Sequence, residues 1–187
     1  MKHEAVFEKA TDVLKHEHRI IEKVLGAVEK LANSRGAIPV EQWEKALDFI
    51  RNFADKCHHL KEEGLLFPAL EEHGIPREGG PIGVMLMEHE EGRGYVRAMA
   101  EALSATKQQP AAARPKLVGN AMAYVRLLKE HILKEDEILF NMADDVLTPE
   151  EQKELLREFE EHEAREIGPG VHEKYLKIAQ ELERFAG

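Results

Sequence analysis

Two segments of the chain repeat one pattern of histidine, glutamate and phenylalanine. In residues 58–67 a histidine stands four residues before a glutamate and nine before a phenylalanine, and residues 131–140 repeat these distances. A spacing of four places imidazole and carboxylate on one helix face, one turn apart. Together these groups are ligands for divalent iron, manganese or zinc. The repeat therefore predicts two metal-binding helices, carrying His58, Glu62, His131 and Glu135.

Hydrophobic periodicity predicts an all-α protein. Apolar residues recur at helical spacing in four long segments, at about 11–32, 40–73, 81–107 and 115–147. Thr11 is the expected N-cap of the first helix, and Pro68 should kink the second or re-form its last turns. No alternation of period two is long enough to indicate a strand.

The C-terminal part of the chain predicts further helix. Thr148 and Glu151 form the pattern of a capping box, and a break at 168–170 precedes a last amphipathic segment from about Val171. A chain of 187 residues is long enough for one domain and too short for two ordinary ones. We expect residues 1–147 to form an up-down four-helix bundle, with residues 148–187 as a helical extension packed on it.

Each of the four long helices carries one histidine in its apolar stripe. A single such histidine is more often a satisfied core residue than a ligand. Four imidazoles and two carboxylates in one core, without a metal, would bury unsatisfied charge at a cost of several kcal/mol. The set therefore predicts a metal centre with six ligands: His18, His58, Glu62, His89, His131 and Glu135.

Counting residues tests whether the histidines lie at one depth in the bundle. At the first connection, His18 is 14 residues from the end of its helix and His58 is 18 residues from the start of its own. At the third connection, the corresponding separations are 18 residues for His89 and 16 for His131. At about 1.5 Å per residue, these differ by about one turn or less. At the second connection they are 15 and 9, a mismatch that we assign to the loop 74–79 and the kink at Pro68.

The doublet His58-His59 offers two alternatives, because His59 and Glu63 are also spaced by four. His58 follows Ala54 one turn earlier, whereas His59 follows Asp55. We therefore expect His58 to face the core, and His59 with Glu63 to flank and orient the ligands. Glu22, four residues after His18, is a similar partner, an extra ligand or, as is commoner, a surface residue. The expected non-ligands are His3, His16, His73 and His162, and Cys57 is expected to be a packing residue.

Charge and cysteine content exclude several classes of protein. The net charge of -10, with lysine and arginine scattered, argues against a nucleic-acid partner. One cysteine cannot form an internal disulfide, and no signal peptide or membrane-spanning run is present. We expect a cytoplasmic protein with no membrane or nucleic-acid partner.

The residues around these histidines resemble the hemerythrin-like (HHE) cation-binding family, over roughly 11–147. The similar blocks are 16–19, 58–68, 80–90 and 131–135. The resemblance implies an up-down bundle around two iron ions, oxo- or hydroxo-bridged when oxidised. It also implies that Glu62 and Glu135 bridge the metals and that the imidazoles cap them.

The chain departs from hemerythrin proper on its third helix. Oxygen-carrying hemerythrin has a second histidine four residues after the third-helix histidine, where this chain has Arg93. Its fourth-helix aspartate corresponds to Asp136, directly after Glu135. The site is thus closer to the four-His, two-Glu version seen in iron-sulfur-repair proteins and in iron or oxygen sensors. Fewer fixed ligands leave positions for O2, NO, peroxide or water.

The extension offers one replacement for the missing ligand. His172 or Tyr175 would complete or gate the site if the last segment folded back over the bundle. The equally weighted alternative is a covering helix that packs Val171, Tyr175, Leu176 and Ile178.

Three functions fit the predicted ligands and the resemblance. The first is a non-haem di-iron protein that binds or senses O2 or NO. The second is a di-iron redox enzyme acting on peroxide or NO, with an unidentified redox partner. The third is a bundle holding zinc or manganese for structural reasons. The Glu-x-x-His pattern of ferritin-like di-iron proteins, the zinc-protease motif and the phosphate-binding loop are absent.

Overall fold

Four long helices form the body of the protein in the computed structural model, which describes residues 7–166, 168 and 170–186. The first is α1 (Ala10–Asn33). The second is continuous through α2 (Val40–Phe49), the π-helical segments π1 (Ile50–His59) and π2 (Glu62–Leu66), and α3 (Phe67–Glu72).

The other two long helices form an antiparallel hairpin. The third is α4 (Pro81–Ala105), and the fourth runs through α5 (Pro110–Lys134), the π-helical segment π3 (Glu135–Leu139) and α6 (Phe140–Val146). The described residues contain no strand. The expected all-α bundle with a C-terminal extension is confirmed.

The π-helical segments lie where the candidate ligands lie. His58 is next to the last residue of π1, and Glu62 and Glu135 are the first residues of π2 and π3. A π turn contains about one residue more than an α turn, so the part of the second helix between His58 and the second connection rises less per residue. This shortening accounts for part of the depth mismatch at the second connection. Pro68 follows π2 directly, and the helix continues through it.

Contacts with α6 and with the extension satisfy polar groups at the start of α1. The helix begins at Ala10 after Lys9, which makes no side-chain cap, so the expectation that Thr11 is the N-cap is wrong. The Thr11 hydroxyl instead donates to Asp144 Oδ1 at 2.7 Å, and the Ala10 N–H donates to Gln152 Oε1 at 2.9 Å. Tertiary partners thus satisfy groups that a local cap would otherwise bind.

The second long helix ends at a Schellman motif, close to its predicted stop. Gly74 adopts a φ of 82°, which favours glycine. The N–H of Ile75 donates to the Leu70 carbonyl at 3.0 Å, and both side chains are buried in one apolar cluster.

Two apolar clusters lie on either side of the candidate ligands, and each includes one helix of the extension. Helix α8 (Val171–Ala186) adds Tyr175, Ala179 and Leu182 to the larger cluster. Helix α7 (Pro149–Glu166) adds Leu155 and Phe159 to the smaller one. The extension therefore packs on the bundle, while its division from the bundle at residue 147 stays a prediction. Among the described residues, no helix has the length and apolar character needed to cross a membrane.

The predicted capping box at the start of α7 is present. The Glu151 N–H donates to Thr148 Oγ1 at 3.3 Å, and Glu151 Oε2 accepts from the Thr148 N–H at 2.8 Å. We expect Thr148→Ala to lower the free energy of unfolding by about 1 kcal/mol, because the cap loses its hydroxyl. Urea denaturation of both proteins measures this difference.

Thr148→Ser is the matched control, since it keeps the hydroxyl. Equal stability of the alanine and serine variants would contradict a stabilising cap.

Candidate metal centre

One imidazole from each long helix meets the others in the interior, as the sequence predicts. His18 lies on α1, His58 on π1, His89 on α4 and His131 on α5, and none is more than 2% exposed. The ring centroids of His18 and His58 are 4.6 Å apart, and those of His89 and His131 are 4.7 Å apart.

Two fully buried carboxylates lie between these imidazoles. Glu135 Oε2 is 3.2 Å from Nε2 of both His18 and His131. Glu62 places Oε1 at 3.3 Å from His58 Nε2 and Oε2 at 3.4 Å from His89 Nε2. Each carboxylate therefore spans imidazoles of two helices, the arrangement expected of a bridging group.

The outward nitrogen of each imidazole is held by a second carboxylate. Each Nδ1 lies 2.7–2.9 Å from a carboxylate oxygen, and each of these carboxylates also contacts a lysine or an arginine. Because a carboxylate only accepts, Nδ1 carries the proton and Nε2 presents its lone pair inward. The four sets are His18–Asp136–Arg19, His58–Glu17–Lys61, His89–Glu63–Arg93 and His131–Glu88–Lys134.

The inward atoms fit a metal because most of them have no hydrogen-bond partner, and Nε2 of His89 and His131 face only each other, at 3.1 Å. All four oxygens of Glu62 and Glu135, and Nε2 of His18 and His58, are buried without a hydrogen bond. Atoms 3.2 Å apart subtend about 100° at a cation ~2.1 Å from each, a usual coordination angle. Buried acceptors that face other acceptors are costly unless a cation lies among them.

The negative interior also favours cations through the pKa values of its histidines. Burial alone would lower the pKa of His58, but the carboxylates of Glu62 and Glu17 raise it to about 10. Burial likewise opposes the charge of His131, and Glu135 with Glu88 raises its pKa to about 10. The interior thus attracts positive charge, whether protons or a metal ion.

His59 joins the candidate ligands, which the sequence reasoning did not expect. The described residues form three groups whose ligand atoms lie within 4.8 Å of one another, and two of these groups share Glu62. The third, Glu17, Cys57, Glu163 and His172, is separate from them and adjoins His58 through Glu17. His59 belongs to the second group, and its ring stacks on His89 at 3.9 Å. The first group is His18, His58, Glu62 and Glu135, and the second is His59, Glu62, His89 and His131.

The neighbours of His59 follow the sequence reasoning more closely. Glu63 lies outside the ligand groups and accepts from His89 Nδ1 at 2.7 Å, the orienting position expected for it. Asp55 Oδ1 is 3.5 Å from His59 Nδ1. Glu22 lies at the surface, 3.2 Å from Arg19.

The structure does not bring His172 or Tyr175 to the two groups. His172 Nδ1 lies 3.1 Å from Glu163 Oε1, and its ring edge faces Phe53 at 5.3 Å. Tyr175 packs in the larger apolar cluster, so α8 is a covering helix here. His172 is therefore placed away from the centre that it was expected to complete.

The histidines that were expected not to be ligands lie outside both groups wherever the structure describes them. His73 Nε2 lies 2.8 Å from Glu151, and His162 Nε2 donates to the Lys56 carbonyl at 3.2 Å. His16 packs beside Phe7. His3 lies outside the described residues.

Comparison with known families agrees with this geometry. The model of the hemerythrin HHE cation binding domain matches residues 9–143, which include all seven candidate ligands of the two groups. The chain belongs to the hemerythrin HHE family. The resemblance seen in the sequence is thereby confirmed, and membership implies cation binding by this hemerythrin-family protein.

Curated relatives of this hemerythrin-family chain are mycobacterial proteins described only as uncharacterized. One from Mycobacterium tuberculosis and one from Mycobacterium bovis are each 25% identical over 183 residues, covering 95% of this chain and 70% of the relative. No solved structure matches the chain significantly.

A variant of His59 tests its membership of the second group. We expect His59→Ala to weaken cation binding at the second group and to leave the first group occupied, because the two groups share only Glu62. Metal content after dialysis against a chelator measures the loss.

His73→Ala serves as the control, since His73 contacts Glu151 and belongs to none of the groups, so this variant should retain the full metal content. Unchanged metal content in His59→Ala would show that His59 is not a ligand.

Proposed function

We propose that this protein is a non-haem di-iron protein that binds or senses O2 or NO. The observation that carries the proposal is the pair of buried carboxylates, whose four oxygens have no hydrogen-bond partner and lie between imidazoles of four helices. Family membership supports a cation at this position.

The two groups assign the residues that would hold each ion. Nε2 of His18 and His58 would hold the first ion, and Nε2 of His89 and His131, with His59, the second. Glu62 is common to both groups, and Glu135 contacts His18 and His131 from different groups. These contacts support the proposal that both carboxylates would bridge the two ions.

The chemistry of these donors favours iron over softer metals. The groups offer imidazole and carboxylate without thiolate, and burial raises the pKa of the Cys57 thiol to about 12. This donor set suits iron, manganese and zinc, and the family likeness supports iron among them. Iron, when bound, supplies redox-active centres to which O2 or NO can bind.

A cavity gives small molecules a path to the second group. It has a volume of about 170 Å³ and is lined partly by His59, His89 and Arg93, together with Val96 and Tyr124. Arg93, at the position of hemerythrin's extra histidine, forms ion pairs with Asp55 and Glu63. The second group thus has one imidazole from α4, beside a space large enough for a diatomic ligand.

The surrounding residues hold the imidazoles and exclude water. The Nδ1 hydrogen bonds fix each ring orientation, and the apolar clusters close the centre on both sides. The proposal places the protein in the cytoplasm, on the evidence of its single cysteine.

Iron loading without air, followed by exposure to gas, tests the proposed function. We expect two iron ions per chain and an optical change on adding O2 or NO, reversed when the gas is removed. Iron analysis and absorption spectra give both results.

Three other outcomes would contradict the proposal. Zinc or manganese retained in place of supplied iron would indicate a structural metal bundle. Repeated turnover of peroxide or NO, lost in Glu62→Ala, would indicate the redox enzyme. An iron-loaded protein with no spectral response to either gas would exclude sensing.

Filling the cavity tests the proposed path. We expect Val96→Phe to slow NO binding to the iron-loaded protein at least several-fold, because the larger side chain occupies space beside His59 and His89. Stopped-flow absorption measures the rate, and iron content should stay unchanged.

Val84→Phe is the matched control, since Val84 lies on the same helix α4 but is 40% exposed. Equal rates in the two variants would place the path elsewhere.

A further inference from the structure

Lys61 is a fully buried cation next to the first ligand group. Its side chain is 1% exposed, and it lies between π1 and π2, directly before Glu62. Its Nζ contacts Glu17 Oε1 at 2.5 Å and Glu163 Oε2 at 3.2 Å. Lysine is seldom fully buried without such partners, so this position indicates a specific role for the charge.

The two contacts of Lys61 join the extension to a candidate ligand. Glu17, on α1, is the carboxylate that holds Nδ1 of His58, at 2.9 Å. Glu163 lies on α7 and also faces His172 of α8. A continuous set of polar contacts therefore runs from the extension through Lys61 and Glu17 to His58.

The corresponding cations of the other three sets are neither fully buried nor in contact with the extension. Arg19, Arg93 and Lys134 are 53%, 21% and 36% exposed, and the carboxylates that they contact all belong to the bundle. Among these four sets, only the set at His58 has a cation that is buried and that also contacts the extension. Charge interactions are stronger at such a buried position than at the solvated ones.

Removing the cation would therefore affect one imidazole selectively. Without Lys61, Glu17 would be a buried carboxylate with only His58 as partner. An unpaired buried charge is costly, so Glu17 would reorient. This change would alter the hydrogen bond that orients His58 and tunes its basicity as a ligand.

We propose that Lys61 is a positioning residue through which the C-terminal extension controls the ion at His18 and His58, independently of the ion at His89 and His131. The inference rests on the proposed function, because it requires a pair of ions. It makes the two ions inequivalent, with the extension acting on one of them.

Mössbauer spectra of the full-length, iron-loaded protein test this proposal, because they report each iron separately. We expect Lys61→Met and Glu163→Gln to change the signal of one iron and to weaken its binding by at most about 10- to 100-fold, the usual effect of losing a direct partner of a ligand, because both act on His58 through Glu17. The other iron should keep its signal.

Two matched variants separate this effect from general damage. Lys134→Met removes the outer cation of His131 and should change the other iron. Glu160→Gln alters an exposed glutamate on α7 and should change neither. If Lys61→Met fails to fold by circular dichroism, the half-buried Glu163→Gln decides the result.

The outcomes distinguish this proposal from the proposed function. A wild-type protein that binds fewer than two iron ions would contradict both proposals. Two ions in the wild type, with both signals changed equally by Glu163→Gln or neither changed, would overturn the role of Lys61 alone.

Discussion

Two carboxylates buried among imidazoles are the constraint on which the rest of this structure depends. Glu62 and Glu135 are completely inaccessible to solvent, and their oxygens accept no hydrogen bond. Charges in such a position need a cation, because no hydrogen-bond donor of the described residues neutralises them. The outward Nδ1 bonds then follow from the same need, since they direct each Nε2 inward, toward the position of the cation. The bundle is thus a scaffold that separates an inner layer of lone pairs from an outer layer of neutralised carboxylates.

The two ends of this layer have different surroundings. On the side of His89 the centre borders a cavity and an arginine held by bundle carboxylates. On the side of His58 it borders a buried lysine and a helix of the extension. Under the proposed function, a small molecule would therefore approach one ion, while the covering helices would act on the other. An asymmetric pair of this kind can bind a ligand at one ion without losing the ligand set of its neighbour.

Much of the fold and of the site could be predicted from periodicity. The four-residue spacing of His131 and Glu135 survives in the structure because the helix stays nearly regular between them. Periodicity could not predict contacts between segments that lie far apart in the sequence. Thr11 has a good local capping side chain, yet its hydroxyl bonds Asp144, which only the folded chain brings near. His172 carries the right chemistry for a ligand, but the packing of Tyr175 directs α8 along the larger apolar cluster instead.

His59 was missed because helical periodicity assumes a fixed angle of about 100° between successive side chains. At that angle His58 and His59 cannot share one narrow stripe, and Asp55 one turn earlier indicates an outer face for His59. In π1 each turn holds more residues, so successive side chains are separated by a smaller angle and both imidazoles can face inward. The poorer hydrogen-bond geometry of a π turn is a cost without benefit in an ordinary bundle. Its occurrence at His58, Glu62 and Glu135 is explained if the wider turns serve to direct ligands at a pair of ions.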